Sequence, residues 1–377
     1  MKKKKVKNLI DKPNSIAGIE LKKNSVLVLP CDFSACGYIR LLDQIRVLTT
    51  HYTDQNFLPI ISPRPIFDNS ILETVRTIIV QRCYTSSMLK VIAKYYELKS
   101  KYNYKIVYDI DDMLFNFDKW QCPRYLPVFD LYGSGKAGNI ASEIISMCDA
   151  VNVSTIPLKN CIKDLGYKGQ INLVENKIPI YLYGSQRKGF LLKDLDKPTV
   201  LYAGSKSHYI KNNSGDFTEN WLNFIKMNVV SDKISFVWIG EVPDFFEDIK
   251  DKMIIYPGVN IMDFPRILRE IQADFQIGPL AENWFTACKS DIKALQSYAT
   301  DNIFIGTKFK SIPSPYDNCK NYININDSSE EINKVFWNLT KVTNYNESIK
   351  WQRNYLFENH CYMEDQQSQL TFIKSLC

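Results

Sequence analysis

Ser25-Val-Leu-Val-Leu-Pro30 runs into a loop that reaches Gly37, and beyond it apolar side chains recur at Ile39, Leu41, Leu42, Ile45, Val47 and Leu48. A short unbroken apolar run ending at Pro reads as a buried strand, and the helical spacing that follows reads as an amphipathic helix. The same unit recurs down the chain. Thr77–Val80 predicts a strand, Met88–Tyr102 a helix, Tyr104–Tyr108 a strand and Ala137–Met147 a helix. Ala150–Ser154 predicts a further strand, Leu158–Leu165 a short helix and Gln170–Glu175 a last strand. A polar interval, Tyr181–Pro198, breaks the rhythm with Gly184-Ser185, Arg187-Lys188 and Lys193-Asp194. The alternation restarts with a strand at Thr199–Ala203, a helix near Phe217–Met227 and strands at Ser235–Ile239 and Met253–Tyr256. It continues with a helix near Phe264–Ile271, a strand at Phe275–Ile277, a helix from about Phe285 to Tyr298, and Ile303–Gly306. Buried strands alternating with helices predict parallel sheets built from βαβ units. Two such series predict an α/β chain of two facing doubly wound domains, with the ligand in the cleft at the C-terminal ends of the strands.

The expected limits are a Lys-rich arm over 1–24, a first domain over 25–181, a linker over 182–197 and a second domain over 198–350. A C-terminal helix over 351–377 is expected to return toward the first domain. A length of 377 residues suits two domains, and 45% hydrophobic residues with 22 Tyr and 20 Phe exclude a disordered chain. No apolar run approaches the roughly 18–20 residues of a membrane span. Met1-Lys-Lys-Lys-Lys5 lacks the apolar stretch of a signal peptide, so a cytoplasmic protein is expected. The net charge of +6 permits an anionic partner without requiring one. The ten cysteines include no Cys-x-x-Cys pair, and His51, His208 and His360 stand far apart, which argues for reduced thiols and against zinc.

Chemistry concentrates in Pro279-Leu-Ala-Glu282-Asn-Trp-Phe-Thr-Ala-Cys-Lys289-Ser290-Asp-Ile-Lys293-Ala-Leu-Gln296-Ser-Tyr-Ala-Thr-Asp-Asn302. On a continuous helix Lys289, Lys293 and Gln296 share one face. Lysines near a helix start oppose the dipole unless an anion sits there, and a phosphate would meet both them and the free amides. A solvated basic face is the alternative. Val200-Leu-Tyr-Ala-Gly204-Ser205-Lys206-Ser-His208 is a strand entering a small-residue turn that lets amides approach a phosphate; His208 taken alone is more often structural. In Val107-Tyr-Asp109-Ile-Asp111-Asp112, strand alternation would aim Asp109 and Asp111 to one face and Asp112 to the other. These carboxylates suit proton abstraction in a cleft. They could instead hold a metal, or cap the next helix and pair with Arg40 or Arg82.

The segment Pro279-Leu … Phe285 … Lys289-Ser290 … Lys293 … Leu295-Gln296 … Ala299 resembles the donor-binding motif of GT-B glycosyltransferases, particularly those like family 4. Gln296 stands where these enzymes usually carry a ribose-binding Glu. Val200–His208 resembles the first strand and loop of their second domain, and Cys31–Arg40, with Gly37, the glycine loop of their first. The resemblance implies two Rossmann-like domains and a nucleotide-sugar co-substrate, a UDP-sugar foremost, with no other cofactor and no bound metal. It implies donor contacts from Gly37, Gly204, Ser205, Lys206, His208, Glu282, Lys289, Ser290, Lys293 and Gln296. Asp111 is then the expected base, with Asp109 and Asp112 behind it, and Arg40, Arg82 and Arg124 are expected to meet the acceptor. Tyr202-Ala-Gly-Ser205, Lys293-Ala-Leu-Gln296 and Ala299-Thr-Asp301 are similar to stretches of T-even phage DNA glucosyltransferases. That likeness implies double-stranded DNA carrying hydroxymethylated pyrimidine as partner, met by Lys2–Lys7, Arg124, Lys136 and Arg187-Lys188. An envelope-glycan transferase and a non-catalytic nucleotide- or DNA-binding module are the alternatives.

Overall fold

The structure is a computed structural model, and it describes residues 15–16, 19–20, 25–51, 58–115, 117–122, 136–183, 189–204 and 216–359. Its centre is two six-stranded parallel sheets. The first contains β1 (Ser25–Leu29), β2 (Leu58–Ile61), β3 (Val75–Gln81), β4 (Lys105–Ile110), β5 (Ala150–Val153) and β6 (Gln170–Leu173), in the order β2-β1-β3-β4-β5-β6. The second contains β7 (Thr199–Ala203), β8 (Ser235–Ile239), β9 (Ile254–Tyr256), β10 (Phe275–Gly278), β11 (Ile303–Lys308) and β12 (Tyr322–Asn324), in the order β9-β8-β7-β10-β11-β12. Every residue of β1 and β5 is buried, as an unbroken apolar run covered by helices on both faces requires.

In each sheet the winding reverses once, between β1 and β3 in the first and between β7 and β10 in the second. Helices leave the sheet on opposite sides at such a point, which opens a crevice beyond the strand ends. The crevice of the first sheet is therefore bordered by the Cys31–Gly37 loop and by Arg82. That of the second is bordered by Gly204 and by the loop after Gly278. The helices are set by local caps: Thr85 Oγ1 accepts from the Met88 amide at 3.3 Å, and Ser328 and Glu331 form a reciprocal capping box.

Several elements escape the periodicity. β2 includes Pro59, which lacks a donor and is tolerated because β2 is an edge strand. β12 has only one buried residue of three, Ile323. The helix expected over Phe285–Tyr298 is two helices, Trp284–Ala287 and Ile292–Ala299, broken at Cys288–Asp291. The last helix begins at Val342 rather than 351, and most of its described length lies on the second sheet, where Tyr345, Ile349 and Leu356 enter the core. Its end approaches the first unit, because Tyr355 and Glu358 line a cavity shared with Thr155 and Asn160. Residues 360–377 lie outside the described residues. Among the described residues no helix is long and apolar enough to cross a membrane.

The break in the helix has a structural purpose. Phe285 and Cys288, from the second unit's sequence, are buried in the core of the first unit. Phe285 meets Phe117 edge-on at 5.9 Å, and Trp284 packs on Trp120 at 4.9 Å between ring centroids. Thr155 Oγ1 donates to the Cys288 carbonyl at 2.9 Å. Burying an aromatic ring of this size contributes roughly 1.5–3 kcal/mol, so this plug holds the two crevices face to face.

Candidate functional site

Gly37 shapes the first unit's side of the cleft. A Cβ there would stand 1.8 Å from the Asp32 carbonyl oxygen, so only glycine allows the loop to fold back on itself. Asp32 Oδ1 accepts from the amides of Ser34 (2.8 Å) and Gly37 (3.1 Å). Burial pushes the Asp32 carboxyl up, yet hydrogen bonds from the Cys31 thiol and these amides hold it below the usual range. The Gly37 amide expected to meet the donor is thus spent on Asp32, and Gly37 acts on the site through backbone shape. Gly37→Ala is expected to destabilise the chain by at least about 2 kcal/mol through overpacking, read as a lower urea midpoint. An unchanged midpoint would show that the loop can relax.

Arg40 and Asp109, expected to meet the acceptor and to assist as a base, are corrected by their burial. Both side chains are fully buried and paired, with Arg40 Nη2 2.8 Å from Asp109 Oδ2 and Nε 3.2 Å from Oδ1. Arg40 Nη1 also donates to the Val174 carbonyl and, at 3.1 Å, to Asn176 Oδ1. Asn176 Nδ2 in turn donates to Ser290 Oγ of the second unit at 2.7 Å. The pair is the foot of a polar chain that crosses the cleft.

β4 ends at Ile110, so strand alternation does not extend to Asp111 and Asp112, and both carboxylates meet Arg82. Arg82 Nη2 lies 2.9 Å from Asp112 Oδ2 and Nη1 lies 3.7 Å from Asp111 Oδ1. Lys289 Nζ reaches Asp112 Oδ1 from the other unit at 3.6 Å. Asp111 Oδ1 is shielded from solvent and has no hydrogen-bond partner among the described residues. Burial, and then the charge of Asp112, raise the Asp111 carboxyl above the usual range, against the opposing pull of Arg82. Arg82, expected to meet the acceptor, is paired with these two carboxylates and also lines a cavity of about 550 Å³.

On the second unit, Asp291 is the N-cap of the Ile292–Ala299 helix, so Lys289 precedes the helix instead of sharing a face with Lys293. Lys289 Nζ sits 4.5 Å above the Phe285 ring. Lys293 Nζ is shielded from solvent with no hydrogen-bond partner among the described residues, 4.8 Å from the centre of the Tyr202 ring. Burial, aided by the charge of Lys289, lowers its ammonium to about 8, and Asp216 opposes this. Gln296 is buried and bonded to Tyr183. Glu282, expected at the donor, instead accepts from the amides of Ser311 (2.7 Å) and Lys310 (2.8 Å) and fixes their loop. Gly204 ends β7 at the winding reversal. Ser205, Lys206, His208 and Arg124 lie outside the described residues.

A cavity of about 150 Å³ gathers these groups: Cys36, Asp111 and Asp112 face Lys289, Ser290 and Lys293 across it. Asn176 is the lining residue that the sequence reading missed; it follows β6 in a segment with no motif. Among the described residues no group of three or more His, Cys, Asp or Glu could hold a metal ion. Two larger cavities adjoin. One, of about 550 Å³, lies over β1 and β3 and includes Asp32, Arg64, Arg82, Tyr84 and Met88. The other, of about 900 Å³, lies between the units beyond Ser290.

No protein-family model matches the chain, and no curated protein matches it. Solved structures match its fold. Anabaena HepE in complex with UDP-glucose aligns with a TM-score of 0.56 at 9% identity, covering 93% of this chain and 99% of that one. An alpha-glucosyltransferase (AGT) in complex with UDP aligns with a TM-score of 0.57 at 13% identity, covering 93% and 99%. TarM aligns with a TM-score of 0.54 at 10% identity, and the alignment covers 81% of this chain but only 55% of TarM. At these identities the likeness concerns architecture, which is two facing Rossmann-like units in the GT-B arrangement.

Proposed function

We propose that the chain transfers a sugar from a nucleoside diphosphate sugar, a UDP-sugar foremost, to an acceptor hydroxyl in DNA carrying hydroxymethylated pyrimidine. One observation carries the donor reading: a solvent-shielded ammonium, Lys293, without a hydrogen-bond partner among the described residues. An unpaired buried charge is costly, and a diphosphate arriving between Lys289, Ser290 and Lys293 supplies what it lacks. The UDP and UDP-glucose held by two structural neighbours support the same ligand class. As the acceptor oxygen bonds to the anomeric carbon, its proton passes to Asp111. The bond to the diphosphate breaks with its electron pair leaving on oxygen, where the two lysines stabilise the developing charge. The 150 Å³ cavity is smaller than the roughly 300–1,000 Å³ of ligand sites, and the adjoining 900 Å³ cavity, which shares Asn176, Lys289 and Ser290 with it, supplies further room for the donor between the units.

The DNA acceptor rests on the sequence resemblance and on the net charge of +6. One observation favours a neutral glycan acceptor instead. The 900 Å³ cavity carries Glu175, Asp291, Asp317 and Glu358 against Lys177 and Lys289, beside Trp284 and Tyr355, a setting that repels a polyanion. Burial, with the charge of Glu175, pushes Asp291 up to about 7. Transfer of labelled sugar to hydroxymethylcytosine DNA, unmodified DNA and lipid-linked acceptors separates the two readings. Asp111→Asn is expected to lower transfer at least about 100-fold while leaving UDP-glucose affinity within about twofold. Transfer that survives in this variant removes Asp111 from the mechanism, and absence of UDP-sugar binding removes the donor reading.

A further inference from the structure

We infer that Arg82 is a positioning residue: it takes Asp112 as its ion-pair partner and leaves the adjacent Asp111 as the carboxylate that accepts the proton. Lys289, anchored next to the plug residue Cys288, supplies the second counterion of Asp112. The inference rests on the proposed transfer reaction and assigns to Arg82 a part that the sequence reading gave to acceptor binding.

The geometry is asymmetric. Each oxygen of Asp112 faces a cation, Oδ2 at 2.9 Å from Arg82 and Oδ1 at 3.6 Å from Lys289. Among the described residues, the cation paired with Asp111 is Arg82 at the longer 3.7 Å, and Asp111 Oδ1 is buried without a hydrogen-bond partner. Two neighbouring carboxylates in a shielded site repel each other, and the one with two counterions stays ionised while the other takes up the proton. Environments that separate such a pair mark which member exchanges the proton in the reaction.

Arg82 is held for this task by more than its charges. It is a non-glycine residue at φ +47°, where side chains are strained, and the turn aims it from the end of β3 back over β4. Its amide donates to the Asp109 carbonyl at 2.9 Å, and its Nη1 donates to Cys36 Sγ at 3.0 Å. Among the described residues, the charged or titratable groups around Asp111 are Asp109 and Asp112 on its own segment, and Arg82 from the end of β3. Cys31, Cys36 and Arg40 approach from the glycine loop and its helix, and Lys289 and Lys293 from across the cavity. Arg40 is paired with Asp109, and Arg82 is the cation that the end of β3 brings to Asp111 and Asp112. Lys289 directly follows Cys288, which is buried in the first unit's core, so its ammonium is held beside Asp112 by the same plug that joins the units.

Carboxyl carbon-13 NMR of the aspartate-labelled full chain tests this without any acceptor, with assignments from Asp111→Asn and Asp112→Asn. Asp112 is expected to titrate at least about one pH unit below Asp111. Arg82→Gln is expected to raise the Asp112 midpoint by about one unit or more and close the gap, and Arg82→Lys to restore part of it. Lys289→Ala, a change outside the first unit's core, is expected to raise the Asp112 midpoint in the same direction. Coincident titration in the unaltered chain overturns the inference. So does an Asp112 midpoint that moves in neither Arg82→Gln nor Lys289→Ala. Calorimetry with UDP-glucose on the same samples reports the donor reading separately, so failure of one is not mistaken for failure of the other.

Discussion

Lys293→Ala is expected to lower the affinity for UDP-glucose about 100-fold at pH 7, and Lys293→Met to leave the ligand-free chain as stable as before or more so. The two effects have one cause. A solvent-shielded ammonium with no hydrogen-bond partner among the described residues costs the empty protein free energy, and a well-packed apolar side chain of similar length removes that cost. A charge-assisted hydrogen bond to phosphate contributes roughly 1.5–3 kcal/mol, and the upper part of that range corresponds to the stated loss. A lysine serving only the fold would show the opposite: stability lost and binding unchanged.

The same residue sets a pH dependence. Burial lowers the Lys293 ammonium to about 8 from a model-peptide value near 10.5. Below pH 8 the group is charged in both folded and unfolded chains, and its burial penalty is fully present. Between about pH 8 and 10.5 the folded chain sheds the proton first, so this group's destabilisation fades as pH rises. Donor affinity runs the other way and falls above pH 8, because the neutral amine no longer attracts the diphosphate. Calorimetry at pH 8 in buffers of different ionisation enthalpy is expected to show proton uptake on binding UDP-glucose, whose diphosphate does not titrate there. Equal affinity at pH 7 and pH 9 would sink this account.

The second large effect concerns stability. Arg40→Ala is expected to cost about 3–5 kcal/mol, because it strands the carboxylate of Asp109 in a fully buried site and unties Asn176. That is a large share of the roughly 5–15 kcal/mol that holds a folded domain. Arg40→Met with Asp109→Leu removes both charges together and is expected to recover most of the loss. Urea titration of the three variants is the measurement. Arg40→Ala that melts like the unaltered chain while losing acceptor affinity would return Arg40 to the role first expected of it.

Two parallel sheets were legible in the sequence because buried strands carry their signal locally: the apolar runs at Ser25–Leu29, Thr199–Ala203 and Ser235–Ile239 need no distant partner to be recognised. β2 and β12 escaped because edge strands are short and only partly apolar, so their identity comes from the neighbour they pair with. The helix expected to run from Phe285 to Tyr298 hid a break at Cys288–Asp291, because what ends its first turn is packing outside its own unit. Phe285 and Cys288 enter the first unit's core.

Residue types marked the kind of chemistry, with lysines, a serine and three carboxylates near strand and helix ends. Their division of labour could not be read there. Asp109, Asp111 and Asp112 sit within four positions of one another, and only the fold brings Arg40 to the first, leaves the second without a hydrogen-bond partner at Oδ1 among the described residues, and sets Arg82 and Lys289 on the third. Local pattern is a property of neighbouring residues, whereas ionisation and pairing depend on charges brought together from distant positions, 69 apart for Arg40 and Asp109. For this chain the sequence alone determined the architecture and the class of ligand to look for. The packing of the two units decided which carboxylate oxygen and which ammonium, those of Asp111 and Lys293, are buried without a hydrogen-bond partner among the described residues.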